Sequence, residues 1–442
     1  MWGQTESRQP RLNELADGLN EFPDQPSRLL ALLNEYVPGR SLSRPFYLDP
    51  TVYQWDWEAV WKTGWIFAAH ACEISHPGDY VVLNIGDESV ILWHDPQTGY
   101  AAFHNVCRHR GTRLCQDPCG RTQSFVCPYH RWTYGSTGKL LSAQGMGVGF
   151  DPRDYELHPV RLEEAAGLLF LHLGECPPDF LPFRVQLESE LLPHGLAGAK
   201  VAHYIDYEVR ANWKLIVENN RECYHCLSNH PEYIAATYDL ARDRGEFHHE
   251  LEERLDAARK VWRLSGMADD RVNYSSEMSG AWYRTNRTPL RVGYLTESLD
   301  GQPVAPLLGV FQTYDMGTAR ITTYPNFWCH ANSDHAVTTQ LIPLAPDLTR
   351  IRVTWLVHAE AVLGRDYSLE RLLPFWQRTS EQDWELCHAQ QQGVRSSAYQ
   401  PGPYAEHWEK NVIQFVNWYV EQLRETADWL SQRPKRAIDA AT

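Results

Sequence analysis

Apolar positions along the chain change their period twice. In "PSRLLALLNEYV" (26–37) Leu29, Leu30, Leu32 and Leu33 fall on one face of a helix. From about residue 46 the runs become short and rich in β-branched or aromatic residues: "DYVVLNI", "SVILWHD", "YAAFHNV" and "GLLFLHL". Turn-forming stretches separate them, "DPQTG" at 95–99 and "GSTG" at 135–138, so residues 46–175 read as a small antiparallel β domain. "GECPPDFLPF" (174–183) is a proline-rich joint. Beyond it, helical patterns over "NWKLIVENNRECYHC" and "HHELEERLDAARKVW" precede strands at "TPLRVGYLTESLDG", "ARITTYPNFW", "HAVTTQLIPL" and "RIRVTWLVHA". Two long helices, roughly 367–392 and 405–431, close this larger unit. The expected class is α+β: an N-terminal arm (1–45), the β domain (46–175), a second domain with an antiparallel sheet and packed helices (176–430) and a flexible tail (431–442).

Composition narrows the function. At 442 residues with 43% hydrophobic and 22% charged residues, the chain is long enough for two globular domains. Its longest apolar runs are too short to span a bilayer, and "MWGQTESRQPRLNELADG" lacks the basic and apolar regions of a signal peptide, which points to the cytoplasm. The net charge of −15, with no basic run beyond "RPKR", argues against nucleic acid or an anionic membrane as partner and suits a cationic substrate. Ten cysteines in such a chain are expected to be thiols or metal ligands rather than a disulfide scaffold.

"NVCRHRGTRL" and "VCPYHRW" place Cys107 with His109 and Cys127 with His130, with seventeen residues between the pairs. Structural zinc loops pair Cys with Cys and His with His. Here each loop is mixed, as a two-iron cluster requires if one iron takes both thiolates and the other both imidazoles. Gly111 and Gly135 are expected to let backbone pass close to such a cluster. Cys115 and Cys119, between the loops, read as packing thiols, and the sequence assigns no role to Cys223 or Cys226.

A cluster that moves single electrons needs a second centre for chemistry. In "NWKLIVENNRECYHCLSNHP", Glu222 and His225 share a helical face. His225 and His230 lie five residues apart, ~140° around a regular helix, but Pro231 keeps His230 out of the helical conformation and lets the chain fold back. Two histidines and one carboxylate make a facial triad with open positions for O2. Glu218, Glu222 and, from "SEQDW", Asp383 are the candidate oxygen ligands. The rival pattern is a di-iron bundle built on Glu222–His225 and Glu385–His388, which the strands between 287 and 358 would interrupt.

These motifs make the chain similar to the oxygenase (α) component of Rieske non-haem iron oxygenases over about 45–430. The resemblance implies a Rieske domain joined to a helix-grip, START-like catalytic domain. It implies that Cys107, His109, Cys127 and His130 hold a [2Fe–2S] cluster, and that His225, His230 and Asp383 hold a mononuclear Fe(II) that uses O2. Ring-hydroxylating members carry an Asp ahead of the first iron His; here that residue is Glu222, which the resemblance makes the bridge to a neighbouring subunit's cluster in a homotrimer. "ENNRECYHC", "YQPGPY" and "WLVHAEAV" are similar to the glycine betaine branch, whose members hydroxylate an N-methyl group that leaves as formaldehyde.

A quaternary ammonium is recognised by aromatic faces, for which Trp282, Tyr283, Tyr324, Phe327 and Trp328 are the candidates. A substrate carboxylate would call for an arginine, Arg284 or Arg287. "GMGVGF" (145–150) has the wrong spacing for a dinucleotide site, so electrons from NAD(P)H are expected through a separate flavin/iron–sulfur reductase. Two alternatives stay open: an aromatic dioxygenase or demethylase of the same fold, and a Rieske electron carrier with no catalytic iron.

Overall fold

The computed structural model describes residues 25–238, 248–265, 267 and 282–431. The first 24 residues of the arm, the tail beyond 431 and the stretch 274–281 lie outside them. The β domain opens with β1 (Ile66–His70), followed by β2 (Asp79–Ile85), β3 (Glu88–Asp95), β4 (Gly99–His104) and β5 (Cys119–Arg121). The last four pair antiparallel in the order β4-β3-β2-β5. The turn after β3 is made by Asp95, whose Oδ1 accepts the N–H of Gln97 (2.6 Å) and Thr98 (3.0 Å). A small sheet follows, β6 (Phe125–Val126), β7 (Thr133–Tyr134) and β8 (Leu140–Ser142).

The hairpin β9 (Arg161–Ala165) and β10 (Leu168–His172) returns to pair with β1 in the order β1-β10-β9. Every residue of β10 is buried, as its unbroken apolar run requires. This sheet joins the two halves. Asn326 accepts the Phe67 N–H and donates to the Phe67 carbonyl, both at 2.9 Å, so a buried amide substitutes for a neighbouring strand.

The larger half is one six-stranded antiparallel sheet, ordered β11-β16-β15-β14-β13-β12. It comprises β11 (Ala199–Val209), β12 (Tyr283–Thr288), β13 (Thr318–Thr323), β14 (Phe327–Ala331), β15 (His335–Ala345) and β16 (Leu348–His358). The strand expected over 288–301 is displaced: β12 ends at Thr288 because Pro289 cannot donate to the ladder, and 291–301 are turns and bends. Among the helices are α1 (Gln25–Asn34), α2 (Leu181–Leu191), α3 (Trp213–Asn220), α4 (Pro231–Ala236), α5 (His248–Leu264), α6 (Pro374–Arg395) and α7 (Lys410–Ser431), with shorter turns of helix that include Pro50–Asp56. Pro374 stands in the first turn of α6, where its missing N–H costs nothing. None of the described helices is long and apolar enough to cross a membrane.

One buried ion pair fixes α3, on which the site depends. Lys214 Nζ meets Asp56 Oδ2 with both side chains fully buried. Asp56 also accepts from Trp213 Nε1 (2.9 Å) and from the Tyr419 hydroxyl of α7 (2.6 Å). With both oxygens engaged, the carboxylate holds three elements together; removing the charged partner would strand the other charge at a cost of roughly 3–5 kcal/mol.

Candidate functional site

The two Cys/His loops are built alike. Cys107 N–H donates to Thr112 O (2.9 Å) while Gly111 N–H donates back to Cys107 O (2.9 Å). Cys127 N–H donates to Trp132 O (2.8 Å) while Arg131 N–H donates to Cys127 O (3.0 Å). The fourth residue after each Cys is left-handed, Gly111 at φ 76° and Arg131 at φ 62°. Gly135 is therefore not the second loop's special residue; it lies in the β7–β8 turn, donating to Lys139 O at 2.9 Å. Arg131 takes the left-handed position without being glycine, a conformation the sequence does not announce.

Both thiols are buried, His109 is half-buried and His130 is exposed. The His109 and His130 rings lie 4.6 Å apart at 71°, and His109 stacks on Trp132 at 4.7 Å and 9°. Sulfur thus sits at the inner end and imidazole at the outer end. The set fits an iron–sulfur cluster: His109 Nδ1 is buried with no hydrogen-bond partner, an arrangement that costs energy unless the nitrogen ligates something. Burial raises the Cys107 thiol pKa, opposed by its hydrogen bond with Tyr134. The Tyr134 hydroxyl accepts Arg108 N–H (3.0 Å), leaving its proton for Cys107 Sγ at 3.4 Å. Cys115 and Cys119 are free thiols; the Cys115 backbone is pinned by Asn105, which accepts its N–H and donates to its carbonyl.

The second centre forms where α3 stops. The expected helix through His225 is shorter than its pattern: α3 ends at Asn220, and Glu222 and His225 lie in the turns beyond it. The two still meet, His225 Nδ1 being 2.5 Å from Glu222 Oε1. His230 is out of the helical region (φ −125°, ψ 68°) ahead of Pro231, as a residue before proline should be. His225 Nε2 and His230 Nε2 lie 3.1 and 2.9 Å from the same Asp383 Oδ1. His230 Nδ1 faces Gln382 Oε1 at 2.7 Å. With each Nδ1 directed at an acceptor, two Nε2 lone pairs and a carboxylate oxygen converge on one point. Such a set is stable only around a cation. Burial lowers the His225 pKa, but hydrogen bonds to Asp383 and Glu222 override it and lift the group to about 10; His230 is raised for the same reason through Asp383. The residues fit a divalent metal that takes the place of those protons.

The other candidates fall away on geometry. Glu218 is buried and accepts from the hydroxyls of Tyr47 (2.9 Å) and Tyr404 (3.0 Å), one on each oxygen. Glu385 is exposed and His388 Nδ1 faces Arg210 O at 3.3 Å, so the di-iron pairing is not made. Cys226 lies within reach of His225 and His230, but its sulfur is bonded to Cys223.

A cavity of about 1210 Å³ opens on His225, His230 and Asp383. Strand parity decides what else faces it. Trp328 lines it, as expected from the sequence, whereas Phe327, one residue earlier, lies on the opposite face against Phe67 at 4.2 Å. Trp282 and Tyr283 pack on Phe183 of α2 at 4.7 and 4.9 Å and do not line the cavity. Arg287 is buried against Glu190, its Nη2 donating to the Glu190 carbonyl at 2.9 Å. Tyr324 packs on Phe415 and Trp418. Arg284 does line the cavity. The walls also include residues the sequence reading missed: Tyr233, Arg320, His330 and Trp376. Trp376 stands two turns before Asp383 on α6, so helical spacing from a carboxylate ligand would have found it.

A family profile described as the ring hydroxylating alpha subunit (catalytic domain) matches residues 196–425, and one described as the Rieske [2Fe-2S] domain matches 64–148. The chain is 38% identical over 403 residues to the glycine betaine monooxygenase oxygenase subunit of Chromohalobacter salexigens, covering 90% of this chain and 89% of that one. It resembles the solved structure of a quaternary ammonium Rieske monooxygenase studied for carnitine oxidation and inter-subunit electron transfer (TM-score 0.66, 20% identity, 88% and 97% of the two chains). The same fold in the quaternary ammonium Rieske monooxygenase CntA with its substrate γ-butyrobetaine gives a TM-score of 0.64 at 19% identity over the same shares.

Proposed function

The chain belongs to the Rieske oxygenases, as an α subunit that pairs a Rieske domain with a ring-hydroxylating-type catalytic domain, and on that premise we propose that it oxygenates an N-methyl group of a small betaine-like quaternary ammonium compound. Its cofactors are a Rieske [2Fe–2S] cluster and a mononuclear iron, with O2 as co-substrate and a reductase as electron source. When bound, the cluster relays single electrons and the iron activates O2 for insertion into a C–H bond.

In this proposal Cys107, His109, Cys127 and His130 hold the cluster, and His225, His230 and Asp383 hold the iron. The observation that carries it is the meeting of two Nε2 atoms on one Asp383 oxygen, with each Nδ1 held from behind. Glu222 and Gln382 fix the tautomers, so both histidines present their lone pairs without rearrangement. Glu222 also accepts the Tyr224 N–H, which holds the carboxylate beside a partly exposed turn. That placement suits a bridge to His130 of a second copy, in a head-to-tail homotrimer.

Trp328 and Trp376 offer indole faces and Tyr233 a phenol ring, on which a methylated cation gains ~0.5–2 kcal/mol per contact. The overall reaction consumes one O2, two electrons and two protons. One oxygen atom enters the N-methyl group and the other leaves as water; the resulting N-hydroxymethyl group then separates as formaldehyde, releasing the tertiary amine and a proton. The test is turnover of glycine betaine by the purified protein with a flavin/iron–sulfur reductase and NAD(P)H. Equal amounts of formaldehyde and dimethylglycine are expected, with three irons per chain. Two irons per chain with full cluster content, or cis-diol formation from aromatic acids alone, would overturn the proposal.

A further inference from the structure

Three arginines share the cavity with no ion-pair partner among the described residues. Arg221 at the end of α3, Arg284 of β12 and Arg320 of β13 all line it. Arg221 is only 8% exposed; its Nη1 donates to Thr322 Oγ1 at 3.0 Å, and its Nε is buried with no partner. Arg284 donates to Asn411 Oδ1 at 2.6 Å. On Arg320, Nε and Nη2 are both buried and unpartnered. Among the described residues none of the three makes an ion pair, while Arg287, on the opposite face of the same strand as Arg284, has Glu190.

The sheet explains why they gather. Thr322 pairs with Arg284 on one side and Trp328 on the other, and Arg320 pairs with Asn286 and His330. Arg284 and Arg320 are therefore diagonal neighbours, and Arg221 reaches Thr322 between them. Burial together with the Arg221 and Arg320 charges pulls Arg284 down to about 10, as expected of like charges lacking an anion. The hydrogen bonds of the nearby acids go elsewhere: Asp383 to His225 and His230, and Glu297, although its carboxylate feels the Arg320 charge, to His330, Asn332 and Trp376. Glu406, at the cavity wall, is exposed.

Buried guanidinium donors left open on a substrate cavity call for an anion, and a planar fork suits a carboxylate. One strand over, Trp328 presents the aromatic face that suits a cation. We propose that Arg320, with Arg221 and Arg284, clamps the substrate's carboxylate, so that the site selects zwitterions in which a quaternary ammonium and a carboxylate are joined in one small molecule, and rejects cations lacking the carboxylate. This clamp stands on the oxygenase reading of the cavity and adds a specificity determinant to it. A bound carboxylate relieves the repulsion among the three arginines, whereas a bare trimethylammonium alcohol adds a fourth positive charge to it.

The experiment uses the iron-loaded holoenzyme with glycine betaine, choline and the carbon isostere 3,3-dimethylbutanoate, which keeps the carboxylate and lacks the cation. Wild type is expected to turn over glycine betaine with a KM at least ~10-fold below that of choline and to bind the isostere as a competitor. Arg320→Gln raises KM for glycine betaine by about 10- to 100-fold, the loss of a charge-assisted hydrogen bond, lowers KM for choline by removing one of the repelling charges, and weakens isostere binding by a factor similar to that for betaine; Arg320→Lys restores part of the affinity. Equal KM for choline and betaine in wild type, a comparison that needs no variant, overturns the clamp, as does an unchanged betaine KM in Arg320→Gln. If no quaternary ammonium is turned over but the isostere still binds through Arg320, measured by calorimetry, the clamp stands and the quaternary ammonium reading falls.

Discussion

Glu222→Gln is the most informative single change at the iron site, because it keeps the shape of the residue that orients His225 and removes its charge. His225 Nδ1 lies 2.5 Å from Glu222 Oε1 while its Nε2 faces Asp383 at 3.1 Å. Burial opposes a cation at this ring, and Asp383 and Glu222 together more than reverse that, lifting the pKa from 6.5 to about 10. Glu222 holds the Nδ1 side of the ring, so that Nε2 keeps its lone pair for the proposed metal, and neutralising such a partner behind a metal ligand is expected to weaken metal affinity by about 10- to 100-fold. The assay is anaerobic Fe(II) titration of iron-depleted enzyme, with the Rieske visible spectrum as a control for the other centre. The expected outcome is a right-shifted iron isotherm with unchanged cluster absorbance, and turnover falling further than iron loading explains, since the variant would also lose the bridge proposed for Glu222. An isotherm superimposable on wild type would refute the account of how His225 is held.

Three further outcomes test the rest of the reasoning. Asp383→Ala leaves buried His230 and half-buried His225 without their shared anion, so iron per chain falls from three to two and turnover drops to below ~1% while the Rieske EPR signal persists. Tyr134→Phe removes the hydroxyl beside Cys107 Sγ; a hydrogen bond worth about 1 kcal/mol stabilises the reduced, more negative cluster, so its loss should lower the midpoint potential by about 40 mV in a redox titration. Burial lifts the Glu218 pKa from 4.5 to about 7, against hydrogen bonds from Tyr47 and Tyr404. The native state therefore holds a proton that the unfolded state has lost, and this stability is complete below pH 4.5 and gone once pH has risen through 7. Glu218→Gln should remove a pH-dependent contribution of about 3 kcal/mol over that window in urea titrations, and a pH-independent difference from wild type would contradict it.

How much of this was legible from the sequence follows from how local each signal is. Cys107, His109, Cys127 and His130 sit in two short loops whose spacing alone sorts sulfur from nitrogen, and no tertiary information was needed to pair them. The turn at His230 was legible for the same reason, because Pro231 constrains the residue next to it. Asp383 required the resemblance, since 153 residues separate it from His230 and many carboxylates on amphipathic helices look alike. The shortened α3 was hidden because "NWKLIVENNRECYHC" keeps a helical apolar pattern past Asn220, while the side chains beyond it are held by contacts outside the helix, Arg221 on Thr322 and Glu222 on His225. The substrate wall was the least legible part. Choosing between Phe327 and Trp328, or between Arg284 and Arg287, is a choice of strand face, and a one-residue error inverts every assignment. Both faces of β12–β14 are buried, one under α2 and one on the cavity, so hydrophobic alternation could not separate them. Polar residues do: Asn286, Arg320, Thr322 and His330 fall on one face across three strands, and a buried face that leaves Arg320 Nε and Nη2 without a partner is shaped for something polar that arrives from outside.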